Sequence, residues 1–121
     1  MTPEDDYCAG GPTLPGFGLV MTADAGMTVF LLEMTAILES FGISRAEAVA
    51  RMNYSWGKHR FAPYPDLMCH DAPEHWAHGM YYDDGSAATV AYWEPDADRS
   101  TWAVVPAPPD GDPAWTLPRG A

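Results

Sequence analysis

From Thr28 onward, apolar side chains recur at steps of three and four residues, which is the spacing of one face of an α-helix. The recurring residues are Phe30, Leu31, Met34, Ile37, Leu38 and Phe41. Glu33, Glu39 and Ser40 fall on the other faces. Gly42 follows the last periodic residue and suits the left-handed end of a helix. The pattern therefore predicts a first helix that ends just before Gly42.

A second helix is predicted directly after this stop. Ser44 and Glu47 match a capping box, in which the serine hydroxyl accepts a backbone N–H and the glutamate reaches back to the cap. The residues expected to face the first helix are Ala46, Val49, Met52 or Asn53, and Trp56. So short a connection makes the two helices neighbours in space. They are expected to form a helical hairpin or corner.

Farther along, the chain predicts a short third helix and several strands. Asp71 can cap a helix, Pro73 is tolerated in its first turn, and the helix should end near Gly79. Three stretches are aromatic or β-branched enough to be strands: 80–82, 88–93 and 101–105. A turn at 83–86 would join the first two. The expected fold class is α+β, with a two-helix hairpin and a short third helix packed on a small antiparallel sheet.

Proline and glycine mark the ends of this predicted domain. Residues 1–16 hold three prolines and three glycines, a composition that favours an extended arm. Residues 106–121 hold five prolines and are expected to form an irregular tail, which Trp115 and Leu117 could dock onto the body. A chain of 121 residues is near the most common domain size. Residues 17–105 are therefore expected to form a single domain.

Charge and cysteine content narrow the classes of partner and location. The net charge of −11 opposes attraction to nucleic acid and anionic lipid, and favours a partner with a basic surface. The apolar run 29–32 is ended by Glu33, far short of the roughly 20 residues that a membrane span needs. The first residues are acidic, unlike a secretory signal, and Cys8 and Cys69 are too few for a disulfide framework. We therefore expect a cytoplasmic protein that does not enter a membrane.

Histidines in and near the third predicted helix suggest a metal site. His75 and His78 lie one helical turn apart, and together with His70 they could hold zinc or another transition metal, with Asp71 or Glu74 as a base or an outer-shell partner. An open coordination position would then activate water. No established metal signature is present, and ordinary packing explains the same residues. A metal-binding protein or metal-dependent enzyme that uses His70, His75 and His78 is therefore one alternative function.

The two predicted helices are also compatible with a helix–turn–helix. Residues 45–60 carry a local charge of +3, and the rest of the chain carries −14. The basic residues of this stretch are Arg45, Arg51, Lys58 and Arg60. They fall on the would-be recognition helix and just after it, but a DNA-binding domain usually has a wider basic footprint. A DNA-binding regulator is the second alternative, and nucleic acid is the less favoured partner.

Aromatic residues are crowded in the second half of the chain, next to acidic ones. Trp and Tyr suit surfaces where one end of the side chain is buried and the other can form hydrogen bonds, although a small domain also uses aromatics to fill its core. The predicted binding face consists of Trp56, Tyr64, Asp71, Glu74, Trp76, Tyr81, Tyr82, Asp83 and Asp84. The acidic residues would form its rim and steer a basic partner.

Part of the chain bears a resemblance to other proteins. It consists of residues 42–53, GISRAEAVARMN, and residues 70–82, HDAPEHWAHGMYY. Together they resemble a type of short bacterial protein with no assigned activity, so the resemblance implies no site residue and no cofactor. Small acidic proteins of this size also include toxin immunity proteins, a comparison that rests on size and charge alone. The leading prediction is an acidic protein-binding domain, immunity-like or regulatory.

Overall fold

The structure, a computed structural model, describes residues 17–83 and 102–119. Within these ranges the protein is mostly helical. Helix α1 spans Ala25–Glu39, α2 spans Arg45–Trp56, a 3-10 helix spans Leu67–His70, and α3 spans Pro73–Tyr81. None of the helices in these two ranges is long and apolar enough to cross a membrane. The arm predicted at 1–16 and the strand predicted at 88–93 lie outside the described residues.

The small antiparallel sheet predicted from the sequence is wrong. In the described ranges, the strands are β1 (Tyr82–Asp83) and β2 (Ala103–Val104), which pair over two residues each, and Thr22 forms an isolated bridge with Arg60. A pair this short forms no layer for helices, and α1 packs on α2 and α3 instead. The stretch 80–82, predicted as a strand, is helical as far as Tyr81. Packing of the Tyr81 side chain against the helices outweighs the strand preference of aromatic residues. The fold class is therefore mostly α.

Helix α1 forms the centre of the core. The Asp24 carboxylate caps it by accepting the Met27 N–H through Oδ1 at 2.8 Å, so the helix begins three residues before the apolar periodicity does. Its buried residues are Met27, Phe30, Leu31, Met34, Thr35 and Leu38. After the helix, Gly42 turns the chain with a φ of +97°, a conformation that glycine adopts without strain. The predicted helix and its glycine stop are confirmed.

Helix α2 follows at once, as the capping box predicts. The Glu47 N–H donates to the Ser44 hydroxyl at 3.1 Å, which is the first half of that motif. The Glu47 carboxylate binds Arg51 rather than the cap. The core residues that α2 contributes are Ala48, Val49 and Met52. The second predicted helix is therefore confirmed, with a different role for its glutamate.

Arg51 joins α2 to the short strand pair and to α3. The residue is only 5% exposed, and its Nε donates to Glu47 Oε2 at 2.9 Å. Its Nη1 donates to the Val105 carbonyl at 2.7 Å, and its guanidinium carbon lies 4.8 Å from the centre of the Tyr81 ring. Carboxylate, carbonyl and ring together satisfy a charge that would otherwise be costly to bury.

Asn53 holds the two segments that flank the helices. Its Oδ1 accepts the Val20 N–H at 3.0 Å, and its Nδ2 donates to the carbonyls of Gly18 and Ala114, each at 3.0 Å. Leu117 packs against the core from the same C-terminal segment. Through these contacts, residues 17–20 and 114–117 lie on the helical body despite their irregular backbone.

Candidate binding groove

The structure separates the predicted binding face into three parts. The first part contains Trp56 and Trp76, whose rings meet edge-on with centroids 5.8 Å apart. Trp76 donates its Nε1 hydrogen to the Met68 carbonyl at 2.8 Å, and both tryptophans pack against the core. With His75 they line a shallow depression of about 320 Å³. These rings fix the 3-10 helix and the end of α2 against α3.

The second part surrounds Phe41, at the other end of α3. The rings of Tyr81 and Tyr82 lie with centroids 4.9 Å and 5.5 Å from the Phe41 ring. Tyr82 also meets Trp102 edge-on at 5.4 Å, and Tyr81 lies under the Arg51 guanidinium. These rings are half-buried and hold the short strand pair against the helices. Like the tryptophans, they serve packing first.

Tyr64 is the third part, and it differs from the other predicted anchors because it is 55% exposed. Its backbone N–H donates to Asp24 Oδ2 at 2.9 Å, so one carboxylate both caps α1 and holds this residue. Opposite lies Gly26, where an added Cβ would stand 2.5 Å from Tyr64 Cβ and 2.7 Å from Cγ. Real Cβ atoms do not approach so closely. The first turn of α1 thus provides a seat for Tyr64 that a larger residue at position 26 would block.

A groove of about 490 Å³ extends from Tyr64 between α1 and the segment that leads into α3. Its lining residues are Gly26, Val29, Phe30, Glu33, Tyr64, Cys69, Asp71, Ala72 and Pro73. Most of them are apolar, and the two charged ones, Glu33 and Asp71, are acidic. Val29 is exposed although it is apolar, as is Leu67, three residues after Tyr64. The groove therefore combines exposed apolar surface with negative charge.

Two other depressions differ from the groove in charge. One of about 740 Å³ beside Asn53 is lined by Lys58 as well as Asp112. Another of about 450 Å³ between α1 and α2 is lined by Arg45 as well as Glu39, which form an ion pair at 3.5 Å. Each offers both signs of charge, so neither matches the one-sided acidity of the groove.

Cys69 lies in the wall of the groove as a free thiol. Burial raises the pKa of this thiol above its ordinary value, and the nearby carboxylates of Asp66 and Asp24 raise it further. A backbone hydrogen bond at Asp66 lowers the pKa, but by less than burial raises it. Its Sγ contacts the Met27 thioether at 3.6 Å. At neutral pH the thiol is therefore protonated, and the charge of the groove comes from its carboxylates.

The predicted rim acids are placed unevenly. Asp71 lies in the groove lining, and its Oδ2 is 3.9 Å from His75 Nε2. Glu74 is exposed in the first turn of α3, outside the lining. Asp83 belongs to β1, but its side chain lies outside the described part, as does all of Asp84. Asp71 is therefore the rim residue that shares a site with an exposed aromatic anchor.

The three histidines predicted to bind a metal have separate surroundings. His70 is exposed at the end of the 3-10 helix, His75 lies beside Trp76 with ring centroids 4.9 Å apart, and His78 is buried. The His78 Nδ1 faces the Glu74 carbonyl at 2.7 Å, and its ring meets Phe41 edge-on. Across residues 17–83 and 102–119, no three His, Cys, Asp or Glu side chains group closely enough to hold a metal ion.

The sequence did not assign four of the groove residues to a binding surface: Gly26, Val29, Glu33 and Cys69. One signal for two of them is present in the sequence. Val29 and Glu33 are four residues apart and off the periodic apolar face of α1, which places them together on its exposed side. An exposed valine beside a glutamate marks a surface of mixed character. Nothing in the sequence indicates that Tyr64 lies over Gly26.

Comparison of the chain with protein-family models, with curated proteins and with solved structures finds no match.

Proposed function

We propose that the protein is a small acidic protein-binding domain, regulatory or immunity-like, that takes a basic and partly apolar segment of its partner into the groove. The observation that carries the proposal is the seating of Tyr64. Its backbone is tethered to Asp24 and its side chain is packed over Gly26, yet more than half of it remains exposed. An aromatic residue held in this way is an anchor already in position.

Fixing an anchor before binding reduces the entropy that is lost when a complex forms. Tyr is also among the residues that contribute most to protein interfaces. Burial of the exposed half of a tyrosine removes about 100 Å² from water, worth about 2 kcal/mol of binding free energy. A contribution of this size corresponds to roughly a thirtyfold change in affinity. Tyr64 alone could therefore decide whether a partner binds.

Charge supports a basic partner for the same groove. The chain has a net charge of −11, and the charged residues in the groove lining are both acidic. A negative field around an acidic groove increases the rate at which a positive partner arrives and disfavours acidic competitors. A cytoplasmic location, expected from the low cysteine content, is part of this proposal.

Selection from a displayed library of random peptides tests the proposal and does not require the natural partner. Selected peptides should combine Lys or Arg with apolar residues, and Tyr64→Ala should weaken their binding about thirtyfold. Tyr54→Ala is the matched control, because Tyr54 is 60% exposed but lies beside a different depression. Equal losses in the two variants, or selection of peptides without basic residues, would exclude the groove as the binding site.

Gly26→Ala tests the packing of Tyr64 over Gly26 rather than the exposed part of the Tyr64 side chain. Alanine favours helix over glycine by about 1 kcal/mol, so α1 itself should persist. The new methyl group would, however, lie only 2.5 Å from Tyr64 Cβ, so Tyr64 must move and peptide binding should weaken. Unchanged peptide affinity in a folded Gly26→Ala protein would refute the role of the seat.

The other two functions considered from the sequence have no comparable support in the described ranges. For the DNA-binding alternative, Arg51 is engaged by Glu47 and Val105 within the protein, and Arg45 pairs with Glu39. For the metal alternative, His70, His75 and His78 do not form a group of three potential ligands, and the described residues contain no other such group.

A further inference from the structure

We infer that the groove receives an arginine side chain of the partner, with its guanidinium against the Tyr64 ring and between the carboxylates of Glu33 and Asp71. This inference rests on the proposed function and specifies the residue recognised. Among the described residues, the lining of the groove contains two acids and no Lys or Arg. A cationic side chain of a partner would neutralise these acids.

The remaining acids of the described ranges are mostly engaged within the protein. Three accept backbone N–H groups: Asp24, Asp66 and Asp112. Three pair with arginines: Glu39, Glu47 and Asp110. Glu33 makes no ion pair with any described residue, and the ion-pair contact of Asp71 is His75 at 3.9 Å. The groove thus gathers carboxylates that the fold leaves available.

The described residues contain the inferred arrangement at two places. The Arg51 guanidinium lies 4.8 Å from the Tyr81 ring centre and binds the Glu47 carboxylate. At the C-terminal segment, the Arg119 guanidinium lies 3.7 Å from the ring centre of Trp115 and pairs with an aspartate. Each arginine has one aromatic face and one acid. Among the described residues, the groove presents the same two features, Tyr64 and its acids, without an arginine.

Arginine fits such a site better than lysine does. Its planar guanidinium stacks on an aromatic face and donates two parallel hydrogen bonds to a carboxylate, and it is less strongly hydrated than an ammonium group. Its methylene groups can lie along apolar walls, which Val29 and Pro73 provide here. Because an ammonium group keeps more of its hydration, contact with the ring should favour arginine over lysine by up to about three- to fivefold at a partly exposed site.

Titration by NMR with N-acetyl-arginine amide, and separately with N-acetyl-lysine amide, tests the inference on the full chain. The arginine compound should shift the amide resonances of Gly26, Val29 and Tyr64, and should bind about three- to fivefold more tightly than the lysine compound. Equal affinity of the two compounds, shifts centred away from the groove, or no shift at about 50-fold excess over the protein would each overturn it.

Variants assign the binding to particular side chains. Glu33→Gln and Asp71→Asn should each weaken arginine binding about threefold. Glu74→Gln is the matched control: Glu74 is also exposed and unpaired among the described residues, but it lies outside the groove, so its substitution should not weaken binding. Tyr64→Leu should abolish the preference for arginine over lysine. A loss in Glu74→Gln equal to that in Glu33→Gln would show that only overall charge matters, and would overturn the inference.

Failure of this inference can be told apart from failure of the proposed function. If selected peptides bind in a manner that depends on Tyr64 but accept lysine as readily as arginine, the protein-binding function stands and the arginine site falls. If the arginine compound binds at the groove and no peptide is selected, the guanidinium site stands and the partner-binding function falls.

Discussion

Replacement of Asn53 by alanine is expected to be among the most damaging single changes in the described part of the chain. The side chain makes three hydrogen bonds of 3.0 Å, one accepted from Val20 and two donated to Gly18 and Ala114. Alanine leaves α2 intact but removes every one of these bonds. The two irregular segments would then lose their main polar attachment to the helices.

The size of the effect follows from these bonds. Each contributes about 1 kcal/mol net, and a buried group left without its partner costs more. The Gly18 carbonyl keeps a second donor in the Thr116 hydroxyl, whereas the Val20 N–H and the Ala114 carbonyl lose the partner described for them. We expect a loss of about 3 kcal/mol in the free energy of unfolding, or roughly 12 °C in Tm.

Urea denaturation monitored by tryptophan fluorescence measures this loss. The midpoint should fall while the slope of the transition stays the same, because the surface exposed on unfolding changes little. Ser55→Ala, two residues along on the exposed side of α2, is the matched control and should change stability by less than about 0.5 kcal/mol. Asn53→Asp should be at least as harmful as Asn53→Ala, since it turns an oxygen toward two carbonyls. Near wild-type stability in either Asn53 variant would refute the reasoning.

Three further predictions concern stability and reactivity. Arg51→Met should cost about 2 kcal/mol and lower the hydrogen-exchange protection of the Val105 N–H, directly after β2, because the Arg51 guanidinium binds the Val105 carbonyl. Unchanged protection there would contradict this role. In a Cys8→Ser background, Cys69 of the folded protein should react with iodoacetamide more slowly than Cys69 of the protein unfolded in urea. Burial raises the pKa of the Cys69 thiol in the folded protein, so the unfolded chain loses this proton first, and the free energy of unfolding should fall as pH rises past the ordinary thiol pKa. Gly42→Ala should lower the free energy of unfolding by about 1 kcal/mol because of its positive φ. Gly18→Ala should lower it by about 2 to 3 kcal/mol, because its methyl group would also lie 2.8 Å from a side-chain oxygen. Equal losses in urea denaturation would refute the effect of this close contact.

The helices were predictable because their signals are local. Ser44 and Glu47 lie within four residues of each other, and the apolar face of α1 repeats over three turns, so both patterns can be recognised without knowing the fold. The start of α1 was less accessible, because Asp24, Ala25 and Gly26 add no residue to the apolar repeat. The strand prediction at 80–82 failed for the opposite reason: the aromatic preference was clear, but distant contacts decided the backbone.

The groove could not be predicted because it joins parts of the chain that are far apart in sequence. Tyr64 meets Gly26 and Asp24 across about 40 residues, and nothing in either segment specifies that contact. The sequence grouped all nearby aromatics into one face, since composition cannot distinguish a ring that packs from a ring that is exposed. The Trp76 ring donates a hydrogen bond to the Met68 carbonyl, whereas the Tyr64 side chain packs over Gly26 and remains 55% exposed.

The acidity of the chain also has a different meaning once the side chains are placed. From the sequence, a charge of −11 indicates attraction to any basic surface. In the fold, however, carboxylates such as Asp24 and Glu47 cap helices or hold arginines, so they stabilise the structure and offer little to a partner. Net charge can therefore bring many basic molecules close, but it cannot select among them. Selection requires carboxylates that remain available beside a fixed ring, and Glu33 and Asp71 meet that requirement at the groove.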